Sequence, residues 1–192
     1  DGMERLYRLF QNAPVLGSLV NPRAEEGDVL AAAFHDLQPL LEKALLEETK
    51  DDNVHEMAVT ARGLAKAAEI LAGQFTLVAT NVPYLGRGKQ EEALQEYCER
   101  LHGDSKADLA NCFLERCMAF CSSNGTSALV TPQNWFFQGS YRKARARFLR
   151  DFQWNAVAQL GEEAWQSFGI RGPRTVLITL TAQIAKPTNR FL

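Results

Sequence analysis

The residues best able to do chemistry are Asn81, Val82, Pro83 and Tyr84, which follow directly on the run Phe75-Thr76-Leu77-Val78-Ala79-Thr80. That run is short, rich in β-formers and nearly all apolar, which predicts a buried strand of a parallel sheet. Ligands of open α/β sheets bind at the carboxyl ends of the strands, so this loop stands where reactive side chains belong. The same four residues also fit a plain turn, with Asn81 capping it, Pro83 stiffening it and Tyr84 packing. The tetrapeptide alone does not decide between the two readings.

Other reactive side chains read more blandly. Cys112, Cys117 and Cys121 interleave with Leu109, Phe113 and Phe120 on one predicted helix. With no Cys-x-x-Cys pair and no histidine companion, they are core thiols rather than zinc ligands. His35, His55 and His102 are scattered and polar-flanked, without a catalytic partner nearby in sequence. Arg142, Lys143, Arg145, Arg147 and Arg150 lie on a helix whose other stripe is Tyr141, Ala144, Phe148 and Phe152. That is a solvated helix face first and a phosphate-contacting one second. Gln133-Asn134-Trp135 follows a second apolar run and is a candidate to line a pocket on the same sheet edge as Asn81.

These residues need elements to hold them. Leu30, Phe34, Leu37, Leu41 and Leu45 recur at helical spacing and predict a helix over about 25–48. The stretch Ala13–Val20 before it reads as irregular. Asp51, Asp52 and Asn53 make a polar break, and a second helix runs to about Leu71. Its small-residue face is Val54, Ala58, Ala61, Ala65 and Ala68, and Gly73 ends it. Beyond it the pattern alternates: strands at 75–80, 126–131, 155–160 and 175–181, helices at about 90–101, 106–121 and 139–150, with Gly125 as a turn. Alternation with short connections predicts an α/β sheet layer. The organisation expected is a helical segment over 1–73 and a sheet-bearing part over 74–192.

The chain has 192 residues, 46% hydrophobic and 23% charged, with 21 basic against 23 acidic residues for a net charge of −2. Such a composition fits a globular fold with a sizeable core. It excludes a disordered acidic tail, a collagen-like fibre and a disulfide-stapled miniprotein, and any contact with DNA must be local or made by chain beyond this sequence, because nucleic-acid binders ordinarily carry a concentrated basic excess. No apolar run is long enough for a transmembrane helix, and Asp1-Gly2-Met3-Glu4-Arg5 is no signal peptide. A cytoplasmic location with reduced thiols is expected, without membrane attachment.

Order and spacing add what the tetrapeptide lacks. Thr80-Asn81-Val82-Pro83-Tyr84-Leu85-Gly86 is followed by Ser105-Lys106-Ala107-Asp108-Leu109, opening a helix that holds Phe113-Leu114-Glu115-Arg116. Ala128-Leu129-Val130-Thr131-Pro132-Gln133-Asn134-Trp135 comes next, and Ala13-Pro14-Val15-Leu16-Gly17-Ser18-Leu19 precedes them all. Over roughly residues 7 to 182 this series resembles the adenine-specific (N6) DNA methyltransferases of BREX or phage-growth-limitation defence and of type II restriction-modification systems.

The resemblance implies a partial class I methyltransferase sheet (Rossmann-like), with its first two strands adjacent and parallel and its last pair antiparallel to a neighbour. It implies S-adenosyl-L-methionine as cofactor, double-stranded DNA as substrate, and defence-system or restriction subunits as possible partners. The target adenine is flipped out of the duplex, since its amine is unreachable while stacked. Carried onto this chain, the Asn81 side-chain oxygen and the Val82 carbonyl hold the amine, Pro83 fixes the loop and Tyr84 stacks on the base. Phe168 would cover the base's other face, with Trp165 a competitor. The family signature is Asn/Asp-Pro-Pro-aromatic, and Val82 departs from it. Valine keeps the carbonyl but loses the fixed φ of proline, although Pro83 still biases residue 82 to an extended backbone.

The family's cofactor loop, a Gly-rich turn after its first strand, has no counterpart here, since Gly86-Arg87-Gly88 follows another strand. The chain is therefore expected to be the second half of a catalytic domain cut from a larger protein, and inactive alone. Two alternatives stand beside this reading. One is a non-catalytic DNA-binding or assembly module that kept the scaffold. The other is an enzyme methylating a different planar nitrogen, cytosine N4 or protein glutamine.

Overall fold

The computed structural model describes residues 2–26, 52–161 and 173–186. Most of the helix expected over 25–48 lies outside them, as do Trp165 and Phe168. The chain forms two compact units that divide between Gly73 and Gln74.

The first unit is helical: α1 (Gly2–Phe10), α2 (Ala13–Leu16), α3 (Pro22–Glu26) and α4 (Asp52–Ala72). The stretch expected to be irregular thus winds into α2 and a 3-10 turn at Gly17–Leu19. Pro14 sits in the first turn of α2, where its missing N–H costs nothing. On α4 the small-residue stripe does close packing. Ala65 and Ala68 are buried, with Leu9, Phe10 and Leu64 against them.

The second unit is a four-stranded mixed sheet: β1 (Phe75–Asn81), β2 (Cys121–Pro132), β3 (Gln153–Gln159) and β4 (Thr175–Thr181), in the order β1-β2-β4-β3. β1 and β2 are parallel, and β4 runs antiparallel to both β2 and β3. This is the arrangement the resemblance implies. Three helices join the strands: α5 (Glu92–Leu101), α6 (Leu109–Phe120) and α7 (Arg142–Asp151). Asp108 caps α6 by accepting the Ala110 N–H at 2.9 Å.

Alternation fixes which sheet face is covered. The register pairs Ser127 with Leu180, Leu129 with Ile178 and Thr131 with Val176, so these buried side chains share one face. Ala110, Leu114, Cys117 and Met118, spaced to one side of α6, join Leu129, Ile178 and Leu180 in the main core, with Trp135 and Phe148.

Two expectations change. β1 forms where the sequence places it, yet it is not buried, with Leu77 63% and Phe75 41% exposed. The reason is topological: among the described residues β1 is an edge strand, bonded to β2 alone. An unbroken apolar run signals strand, but burial depends on neighbours. Gly125 is not a turn between helix and strand either. β2 starts at Cys121, directly after α6, and bulges, so that between Phe75↔Cys121 and Leu77↔Thr126 it carries extra residues. Asn124 has φ 62° there, and a Cβ on Gly125 would lie 2.7 Å from the Phe75 carbonyl oxygen. Glycine is required by that close approach. No described helix is long and apolar enough to cross a membrane.

Candidate active site

Asn81 is the last residue of β1 and pairs with Val130, so its exposed side chain stands at the carboxyl end of the parallel pair. The Tyr84 hydroxyl donates to Asn81 Oδ1 at 3.3 Å. Thr80 Oγ1 donates to the Asn81 carbonyl, also at 3.3 Å. Val82 is 4% exposed and belongs to the main core, while Pro83 is exposed. Tyr84 is half-buried against the same core. Burial, and then the nearby Asp108 carboxylate, push its phenol pKa above the usual value, so the hydroxyl keeps its proton.

The loop is fastened beyond Tyr84. The Leu85 carbonyl accepts from the Leu109 N–H and from Gln90 Nε2, both at 3.0 Å. The Arg87 N–H donates to the Ala107 carbonyl at 3.0 Å, and Gly86 bridges to Asp108. The start of α6 therefore holds the far end of the loop, and the buried Val82 holds its near end. Asn81, Val82, Pro83 and Tyr84 thus lie together in one loop held at both ends. Phe168 lies outside the described residues.

Behind α6 lies a polar cluster that sequence reading missed. Glu115, whose side chain is 10% exposed, accepts from His102 Nδ1 at 2.8 Å and also binds the Ser105 hydroxyl and Arg147. Burial, then Arg116 and Arg147, lower the His102 pKa to about 4. The buried Nε2 has no hydrogen-bond partner, so protonating it would leave an N–H unpaired, which agrees with a neutral ring. His102 and Glu115 are thirteen residues apart across a turn, and nothing local in sequence marks them as partners. Arg145 is likewise engaged, donating from Nη1 to the Trp135 and Gln138 carbonyls at 2.6 and 2.7 Å. The basic face of α7 is thus solvated only in part.

All four cysteines are buried and unbridged. Burial raises the Cys117 thiol to about 12. A hydrogen bond from Cys112 lowers Cys98, and the same contact with burial raises Cys112. Among the described residues no cluster could hold a metal ion.

The fit to S-adenosylmethionine is one-sided. A Cβ on Gly86 or on Gly88 would meet nothing within 4 Å. Both glycines face open space and are not required by a close approach of the chain, and the described residues do not include the glycine-rich loop after a first strand that the resemblance implies for the cofactor. What the turn offers is an acceptor oxygen beside an aromatic ring, the requirements of the methyl acceptor rather than of its donor.

On the same sheet edge Trp135 turns inward: it is fully buried, and its Nε1 donates to Thr131 Oγ1 at 3.0 Å. Gln133 and Asn134, by contrast, line a cleft.

The chain is 29% identical over 161 residues to the adenine-specific methyltransferase BrxX of Escherichia coli O9:H4 (strain HS), a match covering 84% of this chain and 13% of the relative. It is 32% identical over 110 residues to the adenine-specific methyltransferase PglX of Lacticaseibacillus casei (strain Zhang), covering 56% and 9%. The chain thus spans a small fraction of the length of either relative. Among solved structures, the M protein of the type I restriction enzyme EcoKI aligns with a TM-score of 0.40 at 15% identity, over 83% of this chain and 38% of that one. The family model for the Eco57I restriction-modification methylase matches residues 13–165. Spanning the site loop and both parallel strands, that match shows that the chain belongs to the Eco57I restriction-modification methylase family.

Proposed function

We propose that these residues form the amine-binding half of a DNA methyltransferase that modifies the N6 amine of a flipped adenine, in a restriction-modification or phage-defence system. The reading rests on the pairing of Asn81 Oδ1 with the Tyr84 hydroxyl at 3.3 Å at the end of β1. Family membership and the BrxX and PglX relatives support adenine in DNA as the substrate.

S-adenosylmethionine supplies the methyl group, and its binding loop is not among the described residues. The residues here act on the acceptor. A carboxamide oxygen has two lone pairs, so Asn81 Oδ1 can accept from an amine while keeping the Tyr84 bond. With the Val82 carbonyl as second acceptor, both amine hydrogens are bonded out of the base plane. The nitrogen then leaves conjugation with the ring, and its lone pair becomes available to the methyl carbon. The Tyr84 ring provides the stacking face for the extruded base. The buried Val82 and the tie to α6 hold this geometry ready, which lowers the cost of orientation.

The experiment is to sequence DNA from cells producing the full-length protein and its Asn81→Ala variant, reading modified bases directly. N6-methyladenine at one sequence motif, lost in the variant, is expected. Methylcytosine at N4 would move the reading to the other amino base, and no DNA methylation by the wild type would overturn it.

A further inference from the structure

We propose that the cleft between the end of β2 and the start of β4 is a second nucleotide site, which takes the base next to the flipped adenine. The proposal rests on the methyltransferase reading and deepens it by assigning a specificity element.

The cleft has a volume of about 360 Å³, and Gln133, Asn134, Phe137, Gln138 and Arg174 line it. Phe137 is 68% exposed, a large ring offered to whatever enters. Three carboxamides surround it, the side chains that read the donor and acceptor edges of bases, adenine above all. Arg174 brings a cation, and among the described residues no carboxylate lines the cleft. A stacking ring with base-edge amides and a positive rim is the make-up of a single-strand nucleotide site.

Its walls are built rather than accidental. The Phe137 and Gln138 N–H groups both donate to the Asn134 carbonyl, at 3.1 and 3.0 Å, and the Gln133 N–H donates to the Arg174 carbonyl at 2.9 Å. Arg145 ties the Trp135 and Gln138 carbonyls from below, and the Trp135 ring stacks on Phe136 with centroids 4.3 Å apart. Asn134 Oδ1 is buried without a hydrogen-bond partner. Turning that amide toward the cleft sacrifices no bond of its oxygen, and terminal amide torsions are soft.

Position selects the ligand. Asn81 pairs with Val130, and Pro132, two residues further along β2, borders the cleft. That is about 7 Å along one strand and about 5 Å across to its neighbour. A base held by its amine at Asn81 and stacked on Tyr84 lies over β1, whereas the cleft opens over β2 and β4. The next nucleotide of the same strand can reach it, while the flipped base fills the first site.

Two arms test the proposal in the full-length protein. In the first, the methylated motif is sequenced for wild type, Phe137→Ala and Gln138→Ala. Both side chains are exposed, so folding is not at stake. Phe137→Ala should reduce methylation roughly 5- to 150-fold, the range for loss of one stacked base. Gln138→Ala should relax base preference beside the methylated adenine. In the second arm, random-sequence single strands carrying 5-iododeoxyuridine are photocrosslinked and the adducts mapped by mass spectrometry, a readout independent of methyl transfer. Adducts at Phe137 are expected. Wild-type rate and motif in both variants, or adducts only elsewhere, would overturn the cleft assignment and leave the Asn81 site standing. If Asn81→Ala still methylates DNA, the methyltransferase reading of that loop fails instead, whatever the cleft does.

Discussion

Tyr84 donates its hydroxyl proton to Asn81 Oδ1 across 3.3 Å, so the ring proposed to stack and the oxygen proposed to hold the amine are mechanically one unit. The bond orients the carboxamide before any substrate arrives. Tyr84→Phe should keep the stacking face, lose the orientation, and slow methylation about 5- to 10-fold, the worth of one neutral hydrogen bond. Tyr84→Ala should lose stacking as well, for roughly a 30- to 1000-fold reduction. Because the phenol pKa is raised above its usual value, the donor persists into alkaline solution. The ratio of wild-type to Tyr84→Phe rates should therefore be flat from pH 7 to 9. A ratio that collapses within that interval would mean the hydroxyl ionises and the bond is not the one at work.

Stability should fall in mild acid through His102. Its folded pKa of about 4 lies below the ordinary 6.5. Between those values the unfolded chain binds the extra proton, so the contribution is complete above about pH 6.5 and is lost as pH falls toward 4. At 1.36 kcal/mol per unit, the loss is at most about 3 kcal/mol. Urea midpoints at pH 7 and pH 5 measure it. His102→Asn keeps a donor toward Glu115 without a titrating group, and should flatten the dependence. An equally steep decline in that variant would assign the effect to other groups.

The four thiols should resist labelling. All are buried, which bars a reagent from each of them, and burial also raises the Cys117 and Cys121 thiols, Cys117 to about 12, so their thiolate is scarce at neutral pH. A chromogenic disulfide reagent should react slowly with the native chain and with four thiols after denaturation. Rapid native labelling of one or more would contradict the packing around α6.

Trp135 and Thr131 should prove coupled. Trp135→Phe leaves the buried Thr131 hydroxyl without its donor, which costs about 1–3 kcal/mol beyond the lost volume. Adding Thr131→Val should recover part of that, because no polar atom then remains to satisfy. Strictly additive effects in thermal melts would show that the hydrogen bond has no energetic weight.

The sequence makes the strands legible because their signal is local: β4 occupies Thr175–Thr181 as its β-branched run implies. The site loop is legible for a second reason, its order relative to Asp108 and Trp135. Burial of β1 was not legible, since exposure at Leu77 depends on what lies beside the strand. Nor was the His102–Glu115 pair, which forms only once α6 folds back against the turn before it. The inward turn of Trp135 was hidden likewise, because an aromatic after a strand serves a core or a pocket equally well until its neighbours are known.

The edge position of β1 carries a mechanical consequence. Asn81 closes an edge strand, one side of which has no ladder partner among the described residues. An unpaired strand edge is a template for another strand. A strand annealing there would stiffen β1 along its length and set the height of Asn81 above the sheet. If Asn81 holds the amine as proposed, the position of its oxygen depends on what pairs with this edge in the full-length protein, and backbone amide exchange along Phe75–Asn81 there would report it.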